Sequence, residues 1–118
     1  MKRRGRVLGP LLAALLLVAG ACQGKIVRLV EQGRYDEAIR KSQERRFRPR
    51  GRAARAYAIA LRERGQLERA RDVLLQDFRR GARMMSLIAL ADLERDMGRR
   101  GIAAVHYARA FDVEPSSL

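Results

Sequence analysis

The 118 residues include one cysteine, one histidine, four serines and no threonine. A lone thiol cannot close a disulfide within the chain, so no cystine framework holds the fold. The single histidine, His106, has no second histidine or nearby cysteine with which to ligate a metal. None of the serines lies in a nucleophile-elbow motif, and no glycine-rich run could cradle a phosphate. The 13 carboxylates are scattered, and pairs such as Glu68 with Asp72 and Asp92 with Asp96 stand at the spacing of a solvated helix face. The chain is therefore expected to be no enzyme and to need no cofactor or metal. Aromatic residues make up 5% of it, and only Phe47 lies near the richest basic run, which leaves too few stacking rings for a nucleic-acid partner.

Acidic residues are outnumbered. Lysine and arginine total 26, giving a formal charge of +13, and nearly all of that charge is arginine. Guanidinium groups bind carboxylate and phosphate in a bidentate manner, so acidic partners and anionic headgroups are natural candidates. The competing explanation is compositional, since an arginine and alanine excess with few lysines also decorates any solvated helix face.

The N-terminus has the three parts of an export signal: the basic leader MKRRGR, the apolar run VLGPLLAALLLVAG, and small residues before Cys22. The apolar stretch from Val7 to Ala21 is 15 residues, where a spanning helix needs roughly 20, so an uncleaved anchor is the second choice. LVAGAC resembles the lipobox of bacterial lipoproteins, with Ala19 where leucine is commonest. The resemblance implies cleavage after residue 21 and acylation of the Cys22 thiol. Residues 22–118 would then carry 22 basic and 13 acidic side chains. Two or three acyl chains give stable anchoring. Gln23 is not the aspartate that resembles an inner-membrane retention signal, which implies the outer membrane, facing the periplasm.

Beyond Cys22 the chain repeats. EQGRYDEAI, ERGQLERAR and DMGRRGIAA align on Gly33, Gly65 and Gly98, spaced by 32 and 33 residues, each followed five residues later by Ala38, Ala70 or Ala103. Apolar residues at helical spacing lie upstream: Ile26, Leu29 and Val30; Ala54, Tyr57, Ala58 and Leu61; Leu87, Leu90 and Ala91. Downstream come Ala38 and Ile39; Ala70, Val73, Leu74 and Phe78; Ala103, Tyr107, Ala110 and Phe111. The pattern predicts helix, glycine turn, helix, three times, in units near 25–48, 51–80 and 84–115. The fold class is all-α.

This pattern resembles tetratricopeptide repeats, best in GIAAVHYARAFDVEP with Ala103, Tyr107, Ala110 and Pro115, and less well at Ser42, Leu74 and Asp77. The resemblance implies three hairpins stacked as a short right-handed solenoid over 22–118. It also implies a partner groove lined by first helices, which places Arg55, Ile59, Arg62, Ile88, Asp92 and Arg95 near a peptide. The clamp by which some members hold chaperone C-termini is not present, since its positions fall on Val27, Ala56, Met85 and Ala89.

Two further surfaces stand out. With no polar helix following the third unit, Tyr107 and Phe111 are expected to form an exposed apolar end, a place for a protein partner or a second copy. The run ERRFRPRGRAAR sets Arg45, Arg46, Arg48, Arg50, Arg52 and Arg55 across a connection broken by Pro49 and Gly51. It reads either as an anion-binding patch near the membrane or as a solvated loop. The functional expectation is an adaptor lipoprotein that binds a protein partner in assembly or maintenance of an envelope structure. The alternative is a basic protein that binds a membrane surface or an anionic polymer.

Overall fold

The structure, a computed structural model, describes residues 21–45, 47–81 and 84–113, with all their side chains except those of Phe111 and Val113. The expected export signal up to residue 20, Arg46, the Phe111 side chain and Pro115 therefore lie outside the described residues. What is described is all-helical. Helix α1 is described over 21–31, followed by α2 (Tyr35–Ser42), α3 (Arg52–Glu63), α4 (Leu67–Arg79), α5 (Met84–Asp96) and α6 (Arg100–Val113). Helix is already present at 21, so the expected unit boundary near 25 falls inside α1.

Each glycine of the repeat ends a helix in the same way. Gly33, Gly65 and Gly98 have φ of 73°, 77° and 82°, a left-handed backbone that costs an L side chain about 1–2 kcal/mol and glycine almost nothing. In each turn the glycine N–H donates to the carbonyl three residues back, and the following N–H reaches five back. The second bond runs from Arg34 to Leu29 at 2.9 Å, from Gln66 to Leu61 at 2.8 Å and from Arg99 to Glu94 at 2.8 Å. This paired closure satisfies carbonyls that the helix end would leave orphaned. The chain reverses at once, and Ala38, Ala70 and Ala103, 0–3% exposed, lie on the first turns of α2, α4 and α6, where a small side chain permits a close crossing.

Successive helices from α2 to α6 pack on one another, and α3 also touches α5. The core follows the repeat: Ile26, Ala53, Ala56, Tyr57, Leu61, Ala70, Leu74, Leu90 and Leu93 form one cluster, and Leu29, Ala38 and Ala60 form a smaller one between α1, α2 and α3. Phe78 is half-buried, with the Arg109 guanidinium 5.5 Å from its ring centroid.

One buried carboxylate holds the second unit to its neighbours. Asp77, 3% exposed near the end of α4, accepts the Gly51 N–H at the start of α3 at 2.9 Å and the Ser86 hydroxyl of α5 at 2.8 Å. Both oxygens are thus used, and a residue that departs from the repeat pattern acquires its reason. Asp77→Ala leaves the Gly51 donor and the buried Ser86 hydroxyl unpaired. It is expected to lower unfolding free energy by about 1–3 kcal/mol in urea titrations, with the helical circular-dichroism signal of the native state retained.

Candidate functional site

Helices α3 and α5 lie side by side with a cavity of about 310 Å³ between them. Leu74, Ala58, Ala89 and Leu93 contribute to its lining, and so do Arg55, Ile59, Arg62, Met85, Ile88 and Asp92. Five of the six residues assigned to a groove from the sequence are thus brought together. Arg95 is not on the lining. It stands one turn further along α5, with Nη1 3.8 Å from Asp92 and Nε 3.6 Å from Asp96.

The groove is apolar in its middle and polar at one edge. Ile59 and Met85 are 45% and 52% exposed, an unusual outlay of large apolar surface on a small domain. Along the edge, Arg62 pairs with Asp96, and Tyr107 donates its hydroxyl to Asp92. That hydrogen bond to a carboxylate raises the Tyr107 pKa above its usual value, with burial adding to the effect. The edge is therefore largely neutralised within itself. Arg55 differs: among the described residues it has no carboxylate or hydrogen-bond partner for its guanidinium, so one uncommitted cation faces the groove.

Tyr107 accordingly does not form an apolar end. It is half-buried and ties α6 to α5 through its hydroxyl. Among the described side chains of α6, the large apolar ones exposed are Ile102 at 44% and Val105 at 58%. The sequence gives little guidance here, because Ile102, Ala103, Ala104, Val105, Ala108 and Ala110 spread small and apolar residues all round the helix and no face is marked as inner.

The arginine-rich connection is divided by the structure. Gln23, the residue after Cys22, donates from Nε2 to the Arg48 carbonyl at 2.9 Å and accepts the Arg50 N–H at 3.0 Å. This clamp fixes the backbone on both sides of Pro49 against the start of α1. Arg48 then lines a cavity of about 360 Å³ with Arg69 of α4 and Arg80, the residue that caps that helix. Arg50 and Arg52 line another with Gln23, Val27 and Arg28 of α1, where Arg52 approaches Glu31 at 3.5 Å. Arg45 is exposed and lines neither cavity. Arg69 and Arg80 are absent from the sequence-based patch, although they occupy one stripe of α4 and its cap with Val73 and Gln76 at i, i+4, i+7 and i+11.

A second buried acid stands between α4, α5 and α6. Counting from the turn glycines, Glu94 holds the place that Leu29 and Leu61 hold in the other units, and it is fully buried. Arg71 Nε donates to it at 2.5 Å, and Arg99 at 3.5 Å, while Arg99 also reaches Glu68 at 2.9 Å. His106 is close by with a buried Nδ1 that has no hydrogen-bond partner among the described residues. Burial holds the His106 pKa below 6.5; the charge of Glu94 opposes this, and Arg109 and Arg71 add to it. Among the described residues no group of three or more histidine, cysteine, aspartate or glutamate side chains could hold a metal ion.

Two outcomes follow from this cluster. Both arginines are partly exposed and can rehydrate, so Glu94→Leu, which restores the leucine of the other units, is expected to be more stable than Glu94→Ala by about 2–5 kcal/mol in urea titrations. For His106 the folded state binds its proton less well than the unfolded state, so its contribution is complete above pH 6.5 and is lost as pH falls through the depressed folded value. Thermal midpoints should therefore drop between about pH 7.5 and 5.5, and His106→Gln should flatten that drop. No protein-family model matches the chain, and neither does any curated protein or solved structure.

Proposed function

We propose that this protein is a non-enzymatic, lipid-anchored adaptor. Its helices form three tetratricopeptide-like hairpins in a short right-handed stack, carried by an acylated Cys22 on the periplasmic face of the outer membrane. The groove between α3 and α5 binds a segment of a protein partner that works in assembly or maintenance of a bacterial envelope structure. The observation that carries this reading is the groove itself: exposed Ile59 and Met85, with Ile88, line an apolar trough whose polar edge is already internally paired. Such a surface takes an apolar anchor, and the uncommitted Arg55 favours a carboxylate beside that anchor. The anchoring role given to Cys22 is supported by the thiol being free and standing at the end of the apolar run. Among the described residues no helix is long and apolar enough to cross a membrane.

A second reading, a basic protein of the membrane surface, is favoured by the Gln23 clamp, which gathers Arg48 and Arg50 next to the lipidation position.

The adaptor reading is tested in cells by a photo-crosslinking residue placed at 59, with one at 40 on α2 as control. A discrete product from 59, absent from 40 and abolished by Ile88→Asp, is expected. Identical products from both positions would sink the groove as a binding site. In the same cells Cys22→Ser should end acyl labelling and move the protein out of the membrane fraction. If the variant stays with the membranes, the lipid is not the anchor.

A further inference from the structure

The connector and α4 enclose a second cavity whose chemistry differs from that of the groove. We propose that Arg48, Arg69 and Arg80 form a binding site for the phosphate ester of a lipid headgroup. The three arginines are exposed and line one cavity of about 360 Å³; among the described residues none has a carboxylate partner, and Arg69 donates to Gln66 Oε1 at 2.5 Å. Two carboxylates share the lining. Asp77 is buried with both oxygens already accepting hydrogen bonds, and Asp72 alone faces the space as an unpaired anion. The cavity thus keeps a net positive charge at a concave site, where field lines are focused and a guanidinium fork is stronger than on an open surface.

Neutral groups complete the lining. The Tyr57 hydroxyl accepts long bonds from Gln43 at 3.4 Å and Arg69 at 3.5 Å and donates none among the described residues, so its proton is available to an incoming oxygen. Phe47 and Val73 supply an apolar wall suited to the carbon backbone next to a phosphodiester. Three cations spread along one lining suit a group with several acceptor oxygens better than a planar carboxylate, which one arginine satisfies. Arg50 adds to the field through an adjoining cavity that it shares with Arg80.

The membrane as the source of that phosphate rests on the lipid-anchor reading. Gln23 holds the Arg48 and Arg50 backbone one residue from Cys22, so acyl chains on that thiol would bring headgroups to the connector. A free phosphate has the same chemistry, and the two are separated by experiment.

The full chain in uncharged detergent micelles is titrated calorimetrically, at fixed ionic strength, with short-chain phosphatidylglycerol and separately with inorganic phosphate. Wild type is compared with R69Q/R80Q and with R40Q/R100Q, which removes the same charge elsewhere. Phosphatidylglycerol should bind wild type and R40Q/R100Q alike, and R69Q/R80Q about ten-fold more weakly. Inorganic phosphate should bind more weakly than the lipid and lose affinity in the same variant. Equal losses in both double variants would show diffuse charge attraction and overturn the site. No lipid binding to wild type, or phosphate binding as tight as lipid, would overturn the headgroup assignment. Glutamine is a good helix former, so matching thermal midpoints are expected for all three proteins. Because both probes are soluble, the titration reads the site even if Cys22 proves not to be acylated.

Discussion

The left-handed glycine at the end of α1, α3 and α5 is the constraint on which the rest of the structure depends. With that one residue able to take φ near 75–80°, the next amide reaches back five residues and the chain reverses in a single step. The direction of the following helix is then set before any side chain packs. What remains is whether the two helices can approach, and the alanine five residues on decides that, because a larger side chain at Ala38, Ala70 or Ala103 would meet the preceding helix. Three identical reversals at nearly constant spacing present the apolar faces of α1, α3 and α5 to one core. Hairpins too small to bury their own apolar faces become stable by sharing them.

Departures from the repeat are where polar groups enter the interior, and each joins units together. Asp77 ties α4 to the start of α3 and to α5. Glu94, in a leucine slot, draws Arg71 of α4 and Arg99 of the last turn to one point. Gln23 ties α1 to the connector that leads into α3. Apolar contact between alanine-rich helices is non-directional and tolerates sliding. A buried carboxylate with fixed donors does not, because displacement leaves a desolvated charge without its partners. Asp77 and Glu94 therefore fix how the packed helices lie on one another, and Gln23 adds an exposed clamp at the start of α1.

Much of this is legible in the sequence because glycine and alanine mark backbone geometry directly. The turns at Gly33, Gly65 and Gly98 and the buried alanines come from spacing along the chain, whereas the groove of Arg55, Ile59, Arg62, Ile88 and Asp92 is implied by the resemblance to tetratricopeptide repeats. The illegible parts have a different origin. Tyr107 looks like an apolar residue on an outer face until its hydroxyl is seen on Asp92, a pairing between helices that no local pattern encodes. The outward face of α6 is hidden because small and apolar residues surround that helix. The basic cavity combines Arg48 with Arg69 and Arg80, and only the fold of the connector onto α4 makes them neighbours. Linear charge clustering instead points to Arg45 and Arg52, which the structure leaves outside that cavity.

The two cavities lie on opposite sides of α3 and differ in chemistry. At 100° per residue, Tyr57 leaves the helix on the side nearly opposite the stripe formed by Arg55, Ile59 and Arg62. One side therefore presents an apolar trough with an internally paired edge, and the other an uncompensated basic hollow next to the clamp at Gln23. The positive charge of the chain is thus unevenly used: Arg62, Arg71 and Arg99 pair with carboxylates of other helices, whereas Arg48, Arg69 and Arg80 have no carboxylate partner among the described residues. Gathering these three around one concavity requires α4 and its cap to carry Arg69 and Arg80 on the stripe that faces the connector, and requires Gln23 to hold Arg48 there. On the proposed reading, attachment to an anionic surface and capture of a protein segment would use separate faces and would not compete for the same side chains.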